Sequence, residues 1–357
     1  MDYKKEIEEL ILTLIREGGS DLHLGVDRNP FIRVNGELIQ LVKHPIFSKE
    51  DVLSILSVLI DKERINKFLE KQEIDFSYEF TLADSPEKIR LRCNAFFQKG
   101  VVGIALRLIP KVGDLEELKL PSILADLAQK KQGFFLVVGP VGQGKSTTLS
   151  AMINLINKKE SKNILTIEDP IEHIYKPEKS IINQREVGID TSDFHIALKS
   201  AFREDVNVIM IGEMRNTETI STAVTAAETG HLVFSTLHTN NASQTIDRII
   251  DSFPAEQQDQ IRVQLASSLL GIFSQRLVPR ITGGLIPAYE LLINNKAVSN
   301  LIREKRTHEI DIVIETGSES GMVDLNKSLI ELVRAGEITI ENAYKFSLNP
   351  NALERLM

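Results

Sequence analysis

The run Gly139-Pro140-Val141-Gly142-Gln143-Gly144-Lys145-Ser146-Thr147 follows the pattern G-x-x-x-x-G-K-[ST]. Glycines at these positions let backbone N–H groups wrap a chain of phosphates. Lys145 adds a point charge for the β and γ phosphates, and the Ser146 hydroxyl can ligate Mg²⁺. Hydrolysis asks for more: one carboxylate for the metal and one for the attacking water. Two acidic groups follow the loop, each behind an apolar run. Val208-Ile209-Met210-Ile211-Gly212-Glu213 ends on one, and Leu165-Thr166-Ile167 leads into Glu168, Asp169 and Glu172. Glu213 is the expected water-orienting base. Glu172, together with Glu168 and Asp169, is expected in the Mg²⁺ shell, with the division of labour among the three left open. His231 and His238 flank Leu232–Leu237; their spacing does not make a compact metal pair, and by itself it favours structural histidines. Arg90 and Arg92 share one face of a strand-like segment, and Arg107 lies in another. Such cations could stabilise charge on a transferring phosphoryl group.

These side chains need a scaffold. The apolar run Phe134–Val138 enters the glycine loop, and a helical pattern from about Lys145 to Asn157 leaves it. Ile164–Ile167, Val208–Ile211 and Leu232–Ser235 read as further buried strands. Continuous apolar strands separated by helices predict a parallel α/β sheet covered on both faces. Upstream the rhythm differs. An amphipathic helix on Ile7, Leu10, Ile11, Leu14 and Ile15 stops at Gly18-Gly19. Short alternating strands around residues 22–24 and 31–34, a turn at Asn35-Gly36, a helical stretch over 52–68 and strands over 75–78, 89–97 and 101–109 follow. That describes an α+β domain. The segment KVGDLEELKLP, bracketed by Pro110 and Pro121, has linker character. The expected organisation is therefore domain 1–110, linker 111–120, core 121–295 and a helical region 296–357.

With 357 residues, 42% hydrophobic and 26% charged, the chain has ordinary globular composition and length for about two domains. Forty-two Lys and Arg against fifty Asp and Glu leave a net charge of −8, so the basic excess of a protein held to nucleic acid is missing. Cys93 is the sole cysteine, which excludes an intrachain disulfide and a four-cysteine zinc module. No signal peptide or continuous membrane-length apolar run is visible. A cytoplasmic location is expected.

Several segments together resemble the PilT family of type IV pilus retraction ATPases, within the wider class of hexameric secretion ATPases. ILTIEDPIEH (164–173) is similar to the family's Asp box, REDVNVIMIGEMRNTETI (203–220) to its Walker B region, and ETGHLVFSTLHT (228–239) to its His box. SDLHL (20–24), IRVNG (32–36) and RLRCNAFFQ (90–98) are similar to first-domain signatures. The resemblance implies a PAS-like first domain, a RecA-like ATPase core and a homohexamer with ATP and Mg²⁺ bound between domains. It implies that His231 and His238 sense or position the γ-phosphate, and that Arg90, Arg92 and Arg107 act as arginine fingers. A fourth arginine common in related chains is replaced by Gly100. Val141 and Gln143 stand where the family loop usually has Thr and Ser. AVSNLIRE (297–304) is similar to a segment of the retraction branch, with Val298 and Ser299 changed.

The expected activity is thus Mg²⁺-dependent ATP hydrolysis driving pilus retraction and twitching motility, with an inner-membrane platform protein as partner and pilin as indirect target. The rivals are an accessory ATPase of this kind, an assembly or type II secretion ATPase and a nucleic-acid translocase. The acidic balance argues against the last.

Overall fold

The computed structural model describes residues 2–34, 36–81, 88–109 and 113–356. They divide into two compact units, Met1–Lys111 with Pro170–Ile174, and Val112–Asp169 with Tyr175–Met357. The chain thus leaves the second unit after Asp169, lends five residues to the first and returns at Tyr175.

The first unit runs α1 (Tyr3–Arg16), β1 (Asp21–Gly25), β2 (Phe31–Val34), β3 (Glu37–Gln40), α2 (Lys49–Leu59), α3 (Lys62–Lys71), β4 (Glu73–Thr81), β5 (Lys88–Gln98) and β6 (Val101–Ile109). Its sheet has the order β3-β2-β1-β6-β5-β4, and every pairing is antiparallel. Ile7, Leu10, Ile11 and Leu14, the apolar stripe of α1, are buried in a core shared with Leu22, Ile55, Leu91 and Leu106. The single helical stretch expected over 52–68 is two helices. Asp61 breaks it, because its side chain accepts a hydrogen bond from the Arg64 amide (2.9 Å) and so caps a fresh helix. Of the expected Asn35-Gly36 turn, Asn35 lies outside the described residues, as do Pro110 at the end of the expected first domain and residues 111–112 of the expected linker.

The second unit contains α4 (Ile123–Ala128), β7 (Gly133–Val138), α5 (Lys145–Lys159), β8 (Asn163–Glu168), β9 (Ile181–Glu186), α6 (Phe194–Ala201), β10 (Val208–Ile211), α7 (Thr217–Glu228), β11 (Leu232–Leu237), α8 (Ala242–Asp251), α9 (Ala255–Ser268), β12 (Leu269–Pro279) and β13 (Leu285–Ile293). The helices α10 (Lys296–Arg303), α11 (Ile310–Thr316), α12 (Leu325–Arg334), α13 (Ile340–Phe346) and α14 (Pro350–Leu356) follow. The sheet order is β13-β12-β7-β11-β10-β8-β9. All neighbours are parallel except β13, which pairs antiparallel with β12, so the sheet is mixed rather than purely parallel.

Alternation along β7 builds both faces: Phe134, Leu136 and Val138 enter one core with α6–α9, while Phe135 and Val137 enter another with α4 and α5. Residues 113–120, expected as linker, pack in this unit. Leu115 and Leu120 are buried in the second of those cores, Asp114 pairs with Lys158 (2.7 Å), and Lys119 pairs with Glu337 (2.8 Å). The apolar members of a charged segment found a surface to cover.

Candidate active site

Strand β7 delivers the glycine loop. Gly139 has φ 145°, and a Cβ there would lie 2.5 Å from the Gln275 carbonyl oxygen, so only glycine fits. Gly142 and Gly144 are also left-handed, with φ 77° and 75°, and Gly144 opens the fifteen-residue helix α5. The first amides of α5 have no partner within the helix, and its dipole adds positive character, so this end is a seat for an anion. Lys145 is buried, and its Nζ donates to the carbonyl oxygens of Gly139 and Pro140, both at 2.9 Å. Val141 at the tip is exposed, as is Ser146, and Thr147 is half-buried. A cavity of about 240 Å³ opens beside the loop, lined among others by Leu118, Leu120, Gly144, Thr148, Leu277 and Arg280.

Because β7, β8, β10 and β11 run parallel, their C-terminal ends share one edge of the sheet, where open α/β sheets bind ligands. Glu168 closes β8, Glu213 lies two residues beyond β10, and His238 follows β11. The Lys145 Nζ is 3.3 Å from His238 Nδ1, and His238 Nε2 is 3.7 Å from Glu213 Oε2. An ammonium can only donate, so Nδ1 is the acceptor, and in the neutral ring the proton belongs on Nε2, facing Glu213. Glu213 forms an ion pair with Arg215, whose other arm reaches Asp169 at 3.4 Å. The strand edge holds this row in place: the Gly212 amide donates to the Ile167 carbonyl (2.8 Å), and Thr236 Oγ1 donates to the Gly212 carbonyl (2.6 Å).

The other expected residues are placed differently. His231 precedes β11, and a six-residue strand puts it roughly 20 Å from His238, at the far end of the sheet. There its Nδ1 lies 3.1 Å from the Ala226 carbonyl, and its ring stands edge-on to Phe202. Within this chain it does not join the phosphate loop. Glu168 is buried, accepting from Thr166 Oγ1 (2.7 Å) and Gln184 Nε2 (3.4 Å). Glu172 belongs to the first unit, where it pairs with Arg92 at 3.3 Å. Glu168 and Glu172 thus each have partners within their own unit, and among the described residues no three His, Cys, Asp or Glu side chains could hold a metal together.

In the first unit Arg90 donates through Nε to the Ile171 carbonyl (3.0 Å) and through its terminal nitrogen to Ser77 Oγ (2.6 Å). Arg107 pairs with Asp21 at 2.8 Å. Burial works to raise the Asp21 carboxyl, but hydrogen bonds from Ser20 and Arg107 outweigh it and hold the group below its usual range.

Residues 3–287 match the family described as type II/IV secretion system protein. The chain belongs to that family. It is 44% identical over 339 residues to the type IV pilus retractation ATPase PilT of Pseudomonas aeruginosa, covering 95% of this chain and 97% of that one. It is 45% identical over 326 residues to a twitching motility protein of Neisseria gonorrhoeae, covering 91% and 86%. A crystal structure of the pilus retraction motor PilT with bound ADP matches with a TM-score of 0.90 at 44% identity, over 98% of this chain and 99% of that one.

Two groups of residues at this site escaped the sequence reading. Arg215 sits two positions after Glu213, and its charge beside an acidic motif was a usable signal. Gln275 and Arg276 approach the loop from β12, more than 130 positions away, and no local pattern marks them.

Proposed function

We propose that this protein is an ATP-hydrolysing motor that powers retraction of type IV pili and so twitching motility. The observation that carries the reading is the row Lys145, His238, Glu213, Arg215 at the phosphate loop, in a chain related along nearly its whole length to pilus retraction ATPases. ATP binds with its phosphates on residues Gly139 to Thr147. Lys145 turns from the loop carbonyls to the phosphate oxygens, a change of acceptor that keeps its charge matched. Glu213 orients the attacking water, and His238 stands between Glu213 and Lys145, where it registers the γ-phosphate.

Mg²⁺ supplies charge neutralisation on the β and γ phosphates. The donor set suits it: the exposed Ser146 hydroxyl at the head of α5 would hold the ion, which rarely uses an all-protein cage. Asp169, at the same sheet edge, is the carboxylate best disposed to act through water. Arg90, Arg92 and Arg107 are the candidate cations for charge on the transferring phosphoryl group. The first unit is read as PAS-like and the second as RecA-like. The working assembly is a homohexamer on the cytoplasmic side, passing its movement to an inner-membrane platform protein. Among the described residues no helix is long and apolar enough to cross a membrane.

The test has two arms. Purified protein should hydrolyse ATP only with Mg²⁺ and sediment as a hexamer when active, with no stimulation by DNA. Deletion of the gene should leave cells with persistent pili that do not retract. A purified ring without ATPase activity, or cells that lose pili altogether, would overturn the reading.

A further inference from the structure

Strand β12 outruns its neighbour. Pairing with β7 ends at Ser274 opposite Val138, whereas β12 continues to Pro279, still paired with β13 on its other edge. The edge left open over Gln275–Leu277 is taken by the phosphate loop, with two hydrogen bonds to Gln143 and a third from Thr148 of α5. The Leu277 amide donates to Gln143 Oε1 at 2.6 Å, which gives that backbone donor the acceptor a strand would have supplied. Gln275 Nε2 donates to the Gln143 carbonyl at 2.7 Å. Gln275 Oε1 accepts from Thr148 Oγ1 at 2.6 Å. Gln275 is 2% exposed, so each of its polar ends needs a partner.

The fit is close as well as bonded. A Cβ on Gly144 would lie 2.9 Å from Gln275 Nε2, and one on Gly139 would lie 2.5 Å from the Gln275 carbonyl oxygen. A glycine-rich loop free in solution samples many conformations, and the amides that receive phosphate point the right way in few of them. A loop held in one conformation before the ligand arrives binds more tightly, because less order must be imposed on binding.

We infer that Gln143 and Gln275 are positioning residues. They latch the phosphate loop to β12 in its anion-receiving form, and the Gln143 side chain is spent on β12 rather than on the nucleotide. A serine at position 143 is too short to reach the Leu277 amide, so the Gln143 half of the latch belongs to this sequence. This rests on the nucleotide-binding reading above.

The experiment measures MgADP binding by calorimetry and ATP turnover for the full chain, for Gln143→Met and for Gln275→Met. Methionine keeps the side-chain length and removes the polar ends. Gln143→Met, which loses one such bond, should raise the MgADP dissociation constant and the KM for ATP together, roughly fivefold to tenfold, with kcat within about twofold, and Gln275→Met, which loses two, should raise both at least as far. Gln143 is half-buried at the surface, so Gln143→Met should fold normally, whatever happens at the buried Gln275. Binding and KM unchanged in folded Gln143→Met would overturn the inference, even if its melting temperature fell. Failure of the unaltered chain to bind MgADP would instead strike the nucleotide reading itself.

Discussion

At the scale of single residues, chemistry and position separate cleanly. Glu213 was legible because a carboxylate just past a buried strand has one place to be, the C-terminal edge of the sheet. Glu213→Gln should lower the rate of ATP hydrolysis by about 10²-fold or more while MgADP still binds, as expected for removal of a general base. Hydrolysis at the parental rate would remove that role. His231 shows the opposite case. It carries the same side chain as His238 and lies in the same motif, yet the strand between them sends the two to opposite ends of the sheet. The spacing around an apolar run already contained that answer. Glu172 was not legible in this way, since nothing local reveals that five residues after Asp169 join the first unit. Cys93 is buried, and burial pushes its thiol well above the usual range. It should resist iodoacetamide in the native protein and react fully in denaturant; rapid native labelling would contradict its position in the core.

At the scale of elements, the strands with plain apolar runs were readable, and β9, β12 and β13 were not. β12 carries Ser274, Gln275 and Arg276 in its centre, all buried and all satisfied by loops distant in sequence. β13 contains Pro287, which reads as a breaker, but β13 is an edge strand and can spare a ladder donor. β13 also holds Glu290, whose Oε1 accepts from the Ala242 amide at the start of α8 (2.7 Å). Burial pushes this carboxyl up to about 8, with Asp311 and Asp324 adding to the rise and the Ala242 amide and Arg276 opposing it. An unfolded glutamate titrates near 4.3. Between that value and about 8 the folded state keeps a proton that the unfolded state has released, so stability falls as pH rises through the window. The melting temperature of the parent should therefore drop from pH 5 to 8 more steeply than that of Glu290→Gln. Equal slopes would show that Glu290 is ionised throughout.

At the scale of the whole molecule, the described residues of each unit enclose their own hydrophobic core, one cluster in the first and three in the second. Calorimetric unfolding should therefore depart from a two-state transition, with a van't Hoff enthalpy below the calorimetric one. A single transition with equal enthalpies would mean that the cores melt together. The sequence by itself determined the phosphate loop, the strand–loop–helix rhythm and the acid after β10. These depend on neighbours within a few positions, where alternation and glycine geometry leave few choices. Only the tertiary structure decided that β12 backs the loop through Gln275, that His238 rather than His231 meets Lys145, and that the sheet closes with an antiparallel edge. Each of those is a contact between segments far apart in the chain, formed where a buried donor, acceptor or strand edge had to find a partner, and short-range pattern carries no record of which one it finds.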